Sequence, residues 1–424
     1  MKTMDADSID SIVSDPPYGI DFMGKGWDHG VPCVEFWKEA IRVAKPGAYL
    51  LAFGGTRTFH RLTVAIEDAG WEIRDCVMWV YGSGFPKSHD VSKSIDKAAG
   101  IEREDKFEGS FERHAGPTGN KKCDKCGKWL VSGSPCQCPR PQDAPQSEAA
   151  AQWEGWGTAL KPAWEPIIVA RKPFVGTVAA NVLVHGTGAI NIDACRVGDT
   201  VETWPKTRSY GGGTEYAFTH TANGVVNSQS TGAVPAGRWP ANLIHDGSDE
   251  VTAGFPHLHG SGNKSDIGTG VDAGYDASSY EISYNGRANR DYGSKGGSAT
   301  RFFYCAKASK ADRDEGCEGM PTHDIYSEAK PCADRDNIKQ GQMHNNHPTV
   351  KPTALMRYLC KLVTPLNGII LDPFMGSGST GKAATLERFN FIGIDLNAEY
   401  VAIAQARIDA ATKQIAEQLQ YGSS

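Results

Sequence analysis

The chain has 424 residues, of which 40% are hydrophobic and 22% charged, and its formal net charge is −6 at pH 7. This length allows a large core and two or three domains, and the composition is ordinary for a globular protein. No apolar run approaches a membrane span and the N-terminus lacks the apolar core of a signal peptide, which predicts no membrane partner. The eleven cysteines are irregularly spaced, which argues against a disulfide framework and for a reducing cytoplasm.

The first predicted element is a buried strand over residues 9–14, followed directly by Asp15, Pro16, Pro17 and Tyr18. The prolines end the strand, because proline has no N–H to donate to a neighbouring strand. We therefore expect the acid and the aromatic ring at the carboxyl end of a strand, where open α/β sheets bind ligands. A carboxylate and a backbone carbonyl can orient the amino group of a nucleobase, and a tyrosine can stack on an extruded base. An ordinary Asp-Pro turn is the alternative, and these residues alone do not decide between the two.

Strands and helices alternate through the first 80 residues. Apolar spacing predicts, in order, a helix over 34–44, a buried strand over 49–53, a helix over 56–69 and a strand over 71–80. This alternation predicts an α/β fold with a doubly wound, mostly parallel sheet and helices on both faces.

The region from residue 82 to about residue 340 is rich in Gly, Ser, Asn and Pro and has few clear periodicities. A long irregular stretch of this kind is usually functional or disordered. Within it, Cys123, Cys126, Cys136 and Cys138 lie inside sixteen residues, which predicts a tetrahedral structural zinc site that holds a small insert together. A redox pair is the alternative, but it would leave the second pair of cysteines unexplained.

A basic strip lies between residues 284 and 310, with six Lys or Arg side chains against one acid. A cluster of this kind on an acidic protein indicates a footprint for DNA, and a solvated loop is the alternative. The predicted DNA contacts in the strip are Arg287, Arg290, Lys295 and Arg301. Trp239 is a further predicted contact.

The α/β pattern returns near residue 347. A helix is predicted from Thr353, a buried strand over 368–372 and another over 391–395. A final helix is predicted after Asn397, with four apolar residues facing inward: Val401, Ala404, Ile408 and Ile415.

The loop after the first of these strands carries Gly376, Gly378 and Gly381 in the G-x-G-x-x-G arrangement, and Asp395 lies nineteen residues beyond Gly376. Glycines let a backbone approach a ligand, a helix N-terminus favours an anionic group, and a later acid binds ribose hydroxyls. By spacing alone, a nicotinamide cofactor fits nearly as well as S-adenosylmethionine, and a simple packing turn is a third interpretation. The Asp15 turn favours S-adenosylmethionine. Such a turn has no obvious role in a dehydrogenase, but it can orient an amino nitrogen that receives a methyl group.

Taken together, the two stretches resemble the amino-directed DNA methyltransferases that use S-adenosylmethionine. Asp15 to Tyr18 resembles the catalytic motif of that family, and Phe374 to Gly378 resembles its cofactor motif. His347 to Pro352 is similar to the segment that precedes the cofactor loop in the β class, in which the catalytic motif comes first and the cofactor motif last, as here. Gly393 to Tyr400 looks like the following motif, with Asp395 in place of the more usual glutamate. Similar chains are common in phages and prophages.

The resemblance implies a Rossmann-like methyltransferase sheet of seven strands whose two halves are residues 1–95 and 343–424. Residues 96–160 would form an insert with the zinc module, and residues 161–342 would recognise the DNA target. Relatives usually have a short segment before the catalytic strand, with an acid that approaches the cofactor. This chain begins near the end of that segment, so we expect weaker cofactor affinity.

The resemblance also implies roles for single residues. Asp15 and the carbonyl of Pro16 would orient the amino group, Pro17 would hold the turn, and Tyr18 would stack on the flipped base. The implied cofactor-binding residues are Asp372, Phe374, Gly376, Gly378, Asp395, His347, Pro348, Thr349 and Lys351.

The implied substrate is double-stranded DNA. An aspartate at the first motif position favours adenine N6 over cytosine N4, which stays the alternative. An RNA or protein methyltransferase and an inactive DNA-binding regulator are the rival classes. The recognition sequence cannot be read from the chain, and dimerisation, which occurs in the family, is not decided by it.

Overall fold

The computed structural model describes ten ranges of the chain: residues 1–20, 28–84, 88–103, 121–122, 129–130, 144–198, 237–258, 297–306, 311–324 and 342–421. The chain divides into one compact unit of Met1–Gly82 with Trp164–Ser424 and a second of Ser83–Ala163. The predicted zinc ligands Cys123, Cys126, Cys136 and Cys138 and the predicted DNA contacts Arg287, Arg290 and Lys295 lie outside the described residues.

The strands, in chain order, are β1 (Ile9–Ser14), β2 (Ala44–Phe53), β3 (Glu72–Val80), β4 (Lys121–Lys122), β5 (Trp129–Leu130), β6 (Trp164–Arg171), β7 (Leu243–His245), β8 (His257–Leu258), β9 (Gly297–Ser298), β10 (Tyr304–Cys305), β11 (His323–Asp324), β12 (Gln342–Met343), β13 (Ile369–Asp372) and β14 (Asn390–Gly393). The helices are α1 (Val34–Val43), α2 (Phe59–Asp68), α3 (Val91–Ala98), α4 (Glu148–Gln152), α5 (Val178–His185), α6 (Asp249–Thr252), α7 (Ala311–Asp314), α8 (Thr353–Val363), α9 (Ser379–Leu386) and α10 (Ala398–Tyr421).

Eight of the described strands form one large mixed sheet in the order β10-β7-β3-β6-β2-β1-β13-β14, and the other six form three two-stranded sheets. Strand β6 is antiparallel to both of its neighbours, and the other neighbouring pairs are parallel. The α/β class is therefore confirmed, but the prediction of seven strands is wrong. The two strands β7 and β10 have three and two residues, too few to produce a readable period.

The antiparallel strand β6 directly follows β3 among the strands of this sheet. The chain leaves β3 at Val80 and enters β6 at Trp164, which is the register partner of Val80. The two strands therefore pair as the arms of a hairpin with a long connection. Strands β6, β7 and β10 come from residues 161–342, so part of the region predicted to recognise DNA belongs to the sheet.

Helices cover both faces of this sheet, as the sequence predicted. Neighbouring residues of a strand point to opposite faces, so Leu50 and Leu51 of β2 enter different cores. Leu51 packs in a cluster with Leu355 and Leu359 of α8, and Leu50 packs in a cluster with Trp37 of α1. Among the described helices, none is long and apolar enough to cross a membrane.

The buried face of the last helix agrees with the prediction only in part. Ala404 is fully buried as predicted, but Val401 is 39% exposed, and Ile403, Arg407 and Ala411 are fully or almost fully buried. The side chain of Arg407 reaches the backbone carbonyl of Ser377 in the glycine-rich loop.

Strand β1 is buried along its whole length and lies between β2 and β13. The chain order reverses at this point of the sheet, and such a switch point opens a crevice at the carboxyl ends of the strands. The Asp15 turn follows β1 and the glycine-rich loop follows β13, so the two predicted motifs are neighbours at one edge.

Candidate active site

The two loops are joined by the carboxylate of Asp372 at the end of β13. Its Oδ1 accepts a hydrogen bond of 2.6 Å from Ser14 Oγ, and its Oδ2 accepts one of 2.6 Å from Thr380 Oγ1. The backbone N–H of Phe374 donates to Oδ1 as well, at 3.1 Å. Burial raises the pKa of Asp372 to about 6, although these hydrogen bonds oppose the shift. Asp372 therefore holds the end of β1 against the glycine-rich loop.

The carboxylate of Asp15 stands at the centre of a small charged cluster. Its Oδ1 accepts a hydrogen bond of 2.9 Å from the hydroxyl of Tyr18, and its Oδ2 accepts one of 2.8 Å from the ammonium of Lys351. Glu165 of β6 supplies a second carboxylate, whose Oε2 lies 3.1 Å from the Tyr18 hydroxyl and 3.3 Å from Lys351 Nζ. The same ammonium lies 4.9 Å from the ring centre of Phe53, which adds a cation–π contact.

The electrostatics of this cluster favour a charged lysine beside a neutral tyrosine. Burial lowers the pKa of Lys351, but the charges of Asp15 and Glu165 outweigh burial and raise that pKa above its ordinary value. Burial and the same two carboxylates raise the pKa of Tyr18 well above its ordinary value. Burial, with the charge of Glu165, raises the pKa of Tyr81 to about 12.

The glycine-rich loop adopts backbone conformations that favour glycine. Gly376 has a φ of +51° and Gly378 a φ of +74°. A Cβ atom at Gly376 would lie 2.7 Å from Nε2 of His347, and one at Gly378 would lie 2.7 Å from the Cβ of Ala404. The half-buried carboxylate of Asp395 accepts a hydrogen bond of 2.8 Å from the N–H of Gly376, so the predicted ribose-binding acid touches the loop.

The segment from His347 to Pro352 lies against both loops. The Nδ1 atom of His347 lies 2.8 Å from the carbonyl of Thr349, and its ring meets the Tyr400 ring edge-on at 4.6 Å. Burial lowers the pKa of His347, which favours a neutral imidazole. The guanidinium of Arg313 holds the backbone of this segment by donating to the carbonyl of His347 at 2.8 Å.

The glycine-rich loop is also braced from behind by Arg407, a residue that sequence reasoning missed. Its guanidinium is fully buried and donates to the carbonyl of Ser377 at 2.6 Å and to the carbonyl of Asp312 at 2.8 Å. Lys382 of α9, also buried, donates to Glu315 at 2.8 Å. Segment 311–320 therefore ties the loop to α10.

The structure brings together most of the predicted site residues. Asp15, Tyr18 and Lys351 share hydrogen bonds, but the Lys351 ammonium, predicted to serve the cofactor, is bound to the predicted catalytic acid. Glu165 was missed, and its one sequence signal is an acid at the start of a buried apolar run.

Of the predicted DNA contacts and zinc ligands, only Arg301 and Trp239 lie among the described residues. Arg301 is half-buried and donates to the carbonyl of Ser298 at 3.1 Å. Trp239 is 54% exposed, with the guanidinium of Arg196 5.6 Å from its ring centre. Within the described ranges, no three His, Cys, Asp or Glu side chains are grouped so as to hold a metal ion.

A family model described as DNA methylase, for N6 and N4 methyltransferases, matches residues 9–406. The chain is 41% identical over 76 residues to DNA adenine methyltransferase YhdJ of Escherichia coli (strain K12), which covers 18% of this chain and 26% of YhdJ. It is 45% identical over 64 residues to Type II methyltransferase M2.DpnII of Streptococcus pneumoniae, which covers 15% of this chain and 24% of that protein.

These matches span only about a quarter of the length of the two curated relatives. Among solved structures, the PvuII DNA methyltransferase (cytosine-N4-specific) aligns with 98% of this chain and 88% of its own, at 11% identity and a TM-score of 0.40. At that score the structural similarity supports no further conclusion. The family model spans well over half of the chain, and the protein therefore belongs to the N6/N4 family of DNA methylases.

Proposed function

We propose that the protein transfers a methyl group from S-adenosylmethionine to the N6 amino group of adenine in double-stranded DNA, with the base flipped out of the helix. The observation that carries the proposal is the position of Asp15 at the end of β1, beside the glycine-rich loop at the end of the neighbouring strand β13. Membership of the family supports the same reaction.

The residues around the glycine-rich loop fit the cofactor. The loop precedes α9, whose first residues have no side-chain cap, and the carboxylate of Asp395 lies beside it. We propose that Gly376, Gly378, Asp395 and the segment at His347 hold S-adenosylmethionine, and that Phe374 lines the site. When bound, this cofactor supplies an electrophilic methyl group. Asp372 serves as the support of the loop, since its oxygens already accept three hydrogen bonds.

The Asp15 turn would act on the target base. The amino nitrogen of a nucleobase is a poor nucleophile, because its lone pair is delocalised into the ring. A carboxylate oxygen of Asp15 and the carbonyl of Pro16 accept its two N–H hydrogens and localise that lone pair. Two carboxylates anchor the Tyr18 hydroxyl, which fixes the ring on which we propose that the base stacks.

Adenine is the proposed base for two reasons. An aspartate at the first position of the catalytic motif favours adenine within the family, and one relative in the comparison is named as a DNA adenine methyltransferase. The family also includes N4 enzymes, so cytosine N4 is the second candidate.

The finer assignments are proposed with this function. The order of the motifs supports a permuted β-class enzyme, and we propose with it that the enzyme is of phage type and acts in the cytoplasm. The basic strip with Arg301, and the part of residues 161–342 outside the sheet, would recognise DNA. Cys123, Cys126, Cys136 and Cys138 would bind a structural zinc ion.

The proposal is tested by expressing the protein in a bacterial host that lacks DNA methylation and digesting the genomic DNA to nucleosides. Mass spectrometry should find N6-methyladenine with the wild-type chain and none with Asp15→Ala. N4-methylcytosine in its place would overturn the choice of base. Unmodified DNA, from a wild-type chain that is folded and present at the level of the variant, would refute the reaction and favour a regulator.

A further inference from the structure

Glu165 is a carboxylate near Asp15 to which the proposed reaction assigns no role. It is the second residue of β6 and lies opposite Trp79 of β3. Its side chain is 20% exposed. Tyr81 lies close to it, and the charge of Glu165 helps to raise the pKa of Tyr81. Because β6 runs antiparallel to its neighbours, its first residues lie at the edge of the sheet where β2 and β3 have their carboxyl ends.

Two donors are shared between Glu165 and Asp15. The Tyr18 hydroxyl lies 2.9 Å from Asp15 Oδ1 and 3.1 Å from Glu165 Oε2. The Lys351 ammonium lies 2.8 Å from Asp15 Oδ2 and 3.3 Å from Glu165 Oε2. Each donor is therefore nearer to Asp15 but already within reach of Glu165.

This sharing has a consequence for the Asp15 carboxylate. Both of its oxygens accept a hydrogen bond from the protein, one from Tyr18 and one from Lys351. An ionised carboxylate has about four lone-pair sites, so an amino group can share Asp15 with these donors, but each added donor weakens the hydrogen bonds of the others. A buried hydroxyl or ammonium that moves away from Asp15 without another acceptor is strongly disfavoured. A second acceptor close by would let these donors give way to the amino group.

We propose that Glu165 is this second acceptor, a positioning residue that takes the hydrogen bonds of Tyr18 and Lys351 when the target amino group binds to Asp15. The inference rests on the proposed function, since it presumes that an amino group reaches Asp15. No proton is transferred between these groups in the exchange. The cluster keeps two carboxylates and one ammonium throughout. Tyr81 holds Glu165 in place while the donors move.

The first test is the variant Glu165→Gln, with Glu72→Gln as its matched control. An amide oxygen accepts a hydrogen bond but carries no charge, so it holds an ammonium poorly. Glu72 lies at the other end of the β3–β6 pair, is 41% exposed and binds Arg171 at 2.8 Å. In single-turnover assays on unmethylated genomic DNA, Glu165→Gln should reduce the rate of methyl transfer roughly 100-fold, the scale of a misplaced reacting group. The cofactor dissociation constant should stay that of the wild type, and Glu72→Gln should change neither quantity.

The second test uses the sign of an interaction between two sites. In Glu165→Gln the ammonium of Lys351 has only Asp15 as a charged partner, so it blocks the acid. Adding Lys351→Met removes that block and should make the double variant faster than Glu165→Gln alone. A glutamate with a merely structural role predicts the reverse, because a second lesion in the cluster would add to the first.

Three results would overturn the proposal. They are a wild-type rate in Glu165→Gln, a parallel loss of cofactor affinity in that variant, and a double variant slower than Glu165→Gln. A wild-type protein that transfers no methyl group refutes the proposed function itself. This outcome is distinct from the other three, because it is observed on the wild type alone.

Discussion

The buried carboxyl group of Asp372 gives a prediction whose size follows from the structure. Burial raises its pKa from 3.8 to about 6, a shift of about 2 units. The carboxyl is harder to ionise in the folded chain than in the unfolded chain, so the unfolded state loses its proton first as the pH rises. The free energy of unfolding therefore falls between about pH 4 and pH 6 by about 3 kcal/mol from this group, at about 1.4 kcal/mol per unit.

The substitution Asp372→Asn isolates this contribution. Asparagine has the same shape and does not titrate, so the destabilisation that it causes should be about 3 kcal/mol smaller at pH 8 than at pH 4. Thr380→Ala serves as a second variant. Its hydroxyl stabilises the ionised carboxylate at 2.6 Å, so its loss should make the pH dependence steeper than in the wild type. Urea unfolding, followed through the buried indoles of Trp37 and Trp71, measures both effects. An effect of Asp372→Asn that is the same at the two pH values, or larger at pH 8, would refute the reasoning.

Three further predictions follow from the cofactor loop and the insert. Gly378→Ala places a Cβ atom 2.7 Å from that of Ala404 at a φ of +74°, so calorimetry should find cofactor binding reduced at least tenfold, and wild-type affinity would contradict this. Arg407→Met leaves the carbonyls of Ser377 and Asp312 without this donor and should destabilise the fold by about 3 kcal/mol in urea unfolding. Arg357→Met removes an exposed arginine paired with Glu387 and should cost less than about 1 kcal/mol. If the four clustered cysteines bind zinc, elemental analysis should find about one zinc per chain. Its removal by a chelator should unfold the insert but spare cofactor affinity, and a joint loss would reject that division.

The motifs of the site were readable from the sequence because each is local. The proline pair after Asp15, and the glycines between a strand and a helix, depend on backbone conformations that are fixed by a few adjacent residues. The position of β1 at the switch point of the sheet then brings the two loops together without any further information.

The partners of Asp15 were not readable in the same way. Lys351 lies 336 positions away and was assigned to the cofactor, because its segment resembles the one that precedes the cofactor loop in the family. Glu165 lies 147 positions from Tyr18 on a strand whose antiparallel direction no local pattern reveals. Arg407 was not among the residues predicted to face inward, and only the fold shows that its guanidinium is buried against a carbonyl.

The central claim is that the Asp15 turn acts on the base while the Gly376 loop holds the cofactor. The most direct test is the single-turnover rate of methyl transfer by Asp15→Ala on unmethylated DNA, at saturating S-adenosylmethionine, beside its cofactor dissociation constant. The account predicts a rate at least roughly 100-fold below that of the wild type, with an unchanged dissociation constant. Transfer at the wild-type rate by Asp15→Ala would contradict it.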